Sequence, residues 1–272
     1  MNECLFSKRE GVYLEFKTIS FEVKENGVAL VTLNRPASFN AINLELATDF
    51  HRALQAAGQA DSVRVLVVTG SGKAFCAGGD LTWLMAAADN LKKREILDNA
   101  AKIIKVLNQF EKPIIAAVNG VAAGAGTAVA MACDLVIASE KSSFAPNFVH
   151  IAAVPDSGAS WFLPRVVGYQ RAAELMLTGR MLNATEACEM GIYNRVVTEE
   201  HLMAEAMGLA EKLAAGPQRA LRYIKRMLKL SQYNTLDAQL ESEASLQLMA
   251  WSDSDFQEGI KAFLEKRKPQ FK

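Results

Sequence analysis

The sequence predicts an α/β fold built on a parallel sheet, followed by a helical C-terminal third. Three observations predict it. Nearly continuous apolar runs recur at 63–69 (VRVLVVT), Ile114–Val118 and Leu135–Ser139, the pattern of strands covered on both faces. Helical apolar spacing fills the intervals between them. From about Tyr169 onward, helical patterns dominate the chain.

Residues 1–15 read as a tail. Ile19, Phe21 and Val23, followed by Val28, Leu30, Val31 and Leu33 across Glu25-Asn26-Gly27, predict a hairpin with a glycine turn. Asn34-Arg35-Pro36 ends it. Asn43 is placed to cap a helix whose apolar stripe is Leu44, Ala47, Phe50, Leu54 and Ala57, ending near Gly58. VRVLVVT follows as a buried strand closed by Gly70-Ser71-Gly72. The turn FCAGGDL (75–81) then leads toward a helix. Residues 91–110 predict a helix with Ile96, Ala100, Ile103, Ile104 and Leu107 inward. After the strand Leu135–Ser139, the segment from Phe144 to Ser160 carries little charge, and Asp156 is its only acid. Helices are expected over 172–177, 185–190, 200–215, 217–230, 235–249 and 255–266, with a short strand at 194–197. No linker, repeat or low-complexity run breaks the chain; the division expected is a core over 16–200 and a helical region over 201–272.

The stretch KPIIAAVNGVAAGAGTAVAMACD (112–134) holds 21 consecutive uncharged residues, long enough to raise a membrane span. Asn119, three glycines and a charge at each end argue against one. It divides instead into a buried strand, Ile114–Val118, and a buried helix, Ala125–Ala132. A helix entered through small residues leaves its first N–H groups unpartnered and aimed, with the positive end of its dipole, at whatever docks there. The spacing lacks the lysine of a phosphate loop. An enolate or tetrahedral oxyanion suits such N–H groups equally well, and so does a bland reading in which the glycines only permit tight packing. FCAGGDL is a second small-residue turn after a buried strand. Both turns would lie near the carboxyl ends of their strands, where open α/β sheets place ligands.

Composition excludes several classes. Thirty basic and thirty acidic side chains give no net charge, and hence no electrostatic footprint for nucleic acid. The N-terminus lacks the apolar segment of a secretory signal. Cys4, Cys76, Cys133 and Cys188 are widely spaced with no CxxC, which argues against zinc or a disulfide framework and for a reducing cytoplasm. With only His51, His150 and His201, histidine-based metal chemistry is not expected.

FCAGGDL, NGVAAGAG (119–126) and VPDSGASWFLPRVVG (154–168), with NRPASFNAI (34–42) and AFLEKRKPQF (262–271), make the chain resemble the crotonase, or enoyl-CoA hydratase/isomerase, superfamily from Phe16 onward. The resemblance implies a spiral of parallel ββα turns with a helical C-terminal trimerisation region, assembled as a homotrimer or a dimer of trimers. It implies an acyl-CoA thioester substrate, with coenzyme A entering as part of the substrate and no separate cofactor or metal. Two backbone N–H groups, of Gly79 and Ala125, would hold the thioester oxyanion. Ala77, Gly78, Asp80, Leu81, Phe263 and Lys266 fall at positions that meet CoA, although Asp80 reads first as a helix cap, and the bland reading of Lys266 is a solvated KRK tail.

Hydratases of the family carry two glutamates, and the matching positions here are Ala128 and Phe148. Hydration needs carboxylates to hold the water and deliver the proton. The remaining acid is Asp156, where hydratases carry glycine; its bland reading is a turn or N-cap residue after Pro155. An aspartate there resembles ring-1,2-epoxyphenylacetyl-CoA isomerases and some Δ3,Δ2-enoyl-CoA and dienoyl-CoA isomerases. The histidine that dehalogenases pair with it is Ala101 here. PDSG before WFLPRVVG, TLDAQL (235–240) and EGIKAFLEKRKPQF (258–271) extend the likeness to the epoxide isomerases, while Ala152, Ala159 and Pro146-Asn147 depart from it. The activity expected is isomerisation in fatty-acid or phenylacetate metabolism. A hydratase using other groups and a catalytically weak acyl-CoA-binding homologue are the alternatives. Phe144, Phe148, Trp161 and Phe162 read as core or pocket wall, and His150 as a surface residue.

Overall fold

The structure, a computed structural model, describes residues 15–272; of the expected tail, all but Glu15 lies outside the described residues. The chain opens with the antiparallel hairpin β1 (Ile19–Val23) and β2 (Val28–Leu33). Helix α1 (Leu44–Gln59) follows, capped as expected by the Asn43 side chain, which accepts from the Leu46 N–H. Next come β3 (Val65–Gly70), β4 (Ala74–Cys76), α2 (Leu81–Ala86) and α3 (Asn90–Gln109). The central stretch forms β5 (Ile114–Val118), β6 (Val121–Ala123) and α4 (Ala125–Ala132). Then follow β7 (Leu135–Ser139), β8 (Ser143–Ala145), α5 (Ala159–Val167), α6 (Tyr169–Thr178), β9 (Leu182–Asn183), α7 (Ala184–Glu189) and β10 (Arg195–Val197). The helices α8 (Leu202–Ala214), α9 (Gln218–Leu230), α10 (Leu236–Trp251) and α11 (Ser254–Leu264) complete it.

Two sheets carry the fold. The larger has the order β1-β2-β3-β5-β7-β10 and is parallel from β2 onward; the smaller has the order β4-β6-β8-β9, parallel through β8. Each turn of chain lays one strand in the large sheet and the next in the small sheet before it enters a helix: β3-β4-α2, β5-β6-α4, β7-β8-α5. That is a spiral of ββα turns. All residues of β3 and β5 are buried, as their unbroken apolar runs require.

The small sheet is what the sequence reading missed. Its strands of two or three residues are too short to show an alternation, and β4 and β6 adjoin what reads as glycine-rich turn. Helix α5 was also missed, because Pro164 lies inside it. In α3 the expected inward residues Ile103, Ile104 and Leu107 are buried, whereas Ile96 and Ala100 are only half-buried.

Of the two charges that flank the apolar stretch, Lys112 is inside and Asp134 lies at the surface. Lys112 is buried and donates to the carbonyls of Ala57 and Ala60. Asp134 accepts from the Ile114 N–H at 2.7 Å and pairs with the buried Lys225 of α9 at 2.6 Å, which ties the C-terminal helices to the sheet. The buried Lys225 ammonium needs such a partner to offset its removal from water. Among the described residues, no helix is long and apolar enough to cross a membrane.

Candidate active site

The site grows from two turns, each at the end of a small-sheet strand. Strand β6 leads into α4 through Gly124, an N-cap that supplies no side-chain bond. The first N–H of the helix therefore lacks an intrahelical partner. Gly126, at the second position of α4, packs so closely that a Cβ there would lie 2.0 Å from the Cys76 carbonyl. Strand β4 leads into the second turn, in which Gly78 has φ +93°. A Cβ on Gly78 would lie 2.8 Å from the Ala123 carbonyl oxygen and 3.1 Å from the Ala125 nitrogen. Glycine at 78 and 126 is thus what lets the two turns touch backbone to backbone.

Ile42 forms an isolated parallel bridge with Gly79. Its N–H donates to the Gly78 carbonyl at 2.7 Å, and its carbonyl accepts from the Asp80 N–H at 2.9 Å. In that geometry Gly79 turns its own N–H away from Ile42. Nothing lies within 4 Å of where a Gly79 side chain would begin, so the turn faces open space. Among the described residues, neither the Gly79 nor the Ala125 N–H donates a hydrogen bond. Two such donors on touching turns, one of them at a helix start, form an arrangement able to hold an oxyanion. The neighbouring Cys76 does not compete as a nucleophile: burial pushes its thiol up to about 11, partly offset by the Gly78 N–H.

Asp156 lies between a 3-10 turn (Phe148–Ile151) and α5. Its carbonyl accepts from the Ala159 N–H, so its backbone is turn chemistry. Its side chain is not a cap. The N-cap of α5 is Gly158, with no side-chain bond, and Asp156 Oδ1 is buried without a hydrogen-bond partner among the described residues. Burial raises the Asp156 carboxyl above the ordinary carboxylate value, offset only in part by the Ser157 hydroxyl. Residues 157 and 158 both have positive φ, at 49° and 77°. The position of a Cβ on Gly158 is 3.2 Å from Phe162 and 3.7 Å from Ile104, which places this loop against α5 and α3. The exposed apolar side chains Val149, Ile151 and Val154 precede it.

Ala128 is fully buried in α4. Phe148 is also buried, and its ring edge lies 3.9 Å from the Cβ position of Gly124. Asp80 caps α2, accepting from Thr82 and Trp83, and also pairs with Arg35 at 3.0 Å. Ala77 is tied to the Phe39 carbonyl, and Leu81 opens α2 half exposed. Phe263 and Lys266 lie at the end of α11, where Phe263 lines a cavity of about 390 Å³ with Pro217, Phe256 and Phe271. No hydrogen bond or ion pair among the described residues joins either of them to the 77–81 turn. His150 contacts the Thr178 carbonyl at 3.2 Å, a local link to the end of α6. The sequence reading gave no role to Arg35 and Asn40, because an Asn-Arg-Pro after a strand signals only that the strand has ended.

The enoyl-CoA hydratase/isomerase family model matches residues 23–272. The chain belongs to that family of enzymes, and its architecture is the crotonase fold. It is 40% identical over 252 residues to 1,2-epoxyphenylacetyl-CoA isomerase from Escherichia coli (strain K12), covering 91% of this chain and 95% of that protein. It is 38% identical over 260 residues to a probable enoyl-CoA hydratase from Rhodobacter capsulatus, covering 95% and 99%. The crystal structure of an enoyl-CoA hydratase from Bacillus anthracis superposes with a TM-score of 0.91 at 33% identity, covering 94% of this chain and 99% of that one.

Proposed function

We propose that this chain is an acyl-CoA isomerase that stabilises a thioester enolate between the Gly79 and Ala125 N–H groups and moves a proton with Asp156. One contrast carries the reading: the two hydratase glutamate positions are the buried, carboxylate-free Ala128 and Phe148, while Asp156 offers a carboxylate with a raised pKa and a free buried oxygen. The isomerase from E. coli, with 40% identity, supports the same choice. The hydratase named in R. capsulatus keeps hydration as the competing activity.

In the reaction proposed, the carbonyl oxygen sits between the two N–H donors, which lowers the cost of enolate formation. Asp156 takes a proton from one carbon and returns it to another, as in a Δ3 to Δ2 shift, or assists opening of an arene epoxide toward its ring-expanded isomer. The oxidation state is unchanged, so the step calls for no redox group or metal. Ala77, Gly78, Leu81, Phe263 and Lys266 are proposed contacts for CoA, with Asp80 acting by holding the turn. The division into a core over 16–200 and an oligomerisation region over 201–272, and a cytoplasmic location, belong to the same proposal.

If this reading holds, crotonyl-CoA hydration will be slow or absent. Rapid loss of the enoyl absorbance with pure protein would contradict it. Stabilisation of the melting temperature by CoA esters without any turnover would point instead to a binding homologue.

The chain is also proposed to work as a homotrimer or a dimer of trimers. Leu236, Leu240, Met249 and Trp251 of α10 are each about half exposed or more in the single chain, whereas Leu246 is buried. Such a concentration of exposed apolar side chains marks an association surface. Light scattering at micromolar concentration is expected to give three or six times the chain mass, and a monomer mass would refute the assembly.

A further inference from the structure

We infer that Arg35 is a positioning residue for the Gly79 N–H, an inference that rests on the oxyanion reading above. The segment 34–42 clamps the FCAGGDL turn from outside. Ala77 N–H donates to the Phe39 carbonyl, and Ile42 bonds to Gly78 on one side and to Asp80 on the other. Gly79 is the residue of the turn left free to face the open space. The clamp itself is anchored by the buried Asn40, whose Nδ2 donates to the carbonyls of Ser71 and Ala74 and whose Oδ1 accepts from the Arg35 N–H at 2.9 Å.

Arg35 closes this frame. One arm of its guanidinium donates to the Ala41 carbonyl, next to the Ile42 bridge, and the other reaches Asp80 Oδ2 at 3.0 Å, directly after Gly79. Both partners are largely shielded, with side chains 21% and 14% exposed. A planar fork that holds both sides of a one-residue bridge fixes their separation and tilt, which an ammonium cannot reproduce with one point charge. The pair has a second consequence. Asp80 adjoins the donor, so an unneutralised carboxylate there would repel negative charge developing on the thioester oxygen. Arg35 cancels that charge while Asp80 still caps α2.

The test compares Arg35→Met, Asp80→Asn and the double variant. Turnover is read with 3-hexenoyl-CoA, and the carbonyl band of bound trans-2-hexenoyl-CoA is read by difference infrared spectroscopy. Arg35→Met is expected to lower kcat by about tenfold to a hundredfold, a part of what losing an oxyanion donor costs, with KM within about threefold. The carbonyl band should move back toward its solution frequency. Adding Asp80→Asn should restore part of the loss, because the uncompensated charge goes with it. Where Arg35→Met yields too little folded protein, Arg35→Lys carries the same test with a smaller loss of the same kind. A wild-type kcat in either variant, or an unshifted carbonyl band in a folded variant, overturns the role of Arg35. If the wild-type protein itself shows no carbonyl shift, the oxyanion reading fails first.

Discussion

Replacing Asp156 by asparagine is expected to lower isomerase turnover by about 10²–10⁴-fold, the range for losing a general acid or base. CoA-ester binding should survive. Asparagine keeps the size and the turn backbone, in which the Asp156 carbonyl accepts from Ala159, but it cannot take up a proton. In the wild type, turnover should rise with pH as Asp156 ionises, through a midpoint above the ordinary carboxylate value, because burial raises it. The folding linkage has a defined sign. A carboxyl whose folded pKa lies above its unfolded one stabilises the fold below the unfolded value, and that contribution is lost as pH rises through the folded value. At neutral pH the wild type ionises this buried group at a cost to its stability, and Asp156→Asn does not. Its melting temperature at neutral pH should therefore equal or exceed that of the wild type, compared by calorimetry. Near-normal turnover, or a clear loss of stability with activity per folded molecule retained, would make Asp156 a turn residue only.

Ala125→Pro is expected to cost about 10²–10³ in kcat, the loss that follows removal of one oxyanion donor. The substitution spares the helix because Ala125 is the first residue of α4, where proline fits; it replaces the N–H by a ring Cδ, so the donor is lost and its place is filled. The residue before it is Gly124, which tolerates the restriction that proline imposes. Circular dichroism and melting temperature should remain near wild type while turnover falls. Unchanged kcat would remove Ala125 from the oxyanion site, and the reading of the two turns with it.

The large sheet was legible in the sequence because its strands are covered on both faces and read as unbroken apolar runs; Ile114–Val118 and Leu135–Ser139 match the structure residue for residue. The Asn43 cap was legible for a local reason, an amide followed by helical spacing. The small sheet was not, since strands such as Val121–Ala123 are shorter than one period of alternation can show. In the site, the glycines announced two turns, but only the fold shows that Gly78 and Ala125 meet. Arg35 stayed hidden because its partner Asp80 is 45 residues away in sequence and no spacing rule links them. Asp156 was the only acid of its segment and was singled out by the resemblance, at a position where hydratases carry glycine, while the orphaned Oδ1 that distinguishes it from a cap is a property of the folded loop.

The most direct test of isomerisation over hydration is to incubate the protein with 3-hexenoyl-CoA, trans-2-hexenoyl-CoA and a 1,2-epoxyphenylacetyl-CoA ester, and to read mass and absorbance together. Isomerisation rearranges bonds within one molecule, whereas hydration adds a water. The expected result is a change in absorbance at constant mass with the 3-enoyl or the epoxide ester, abolished in Asp156→Asn, and no reaction of the 2-enoyl ester. A product heavier by one water, formed rapidly from the 2-enoyl ester, would contradict the account.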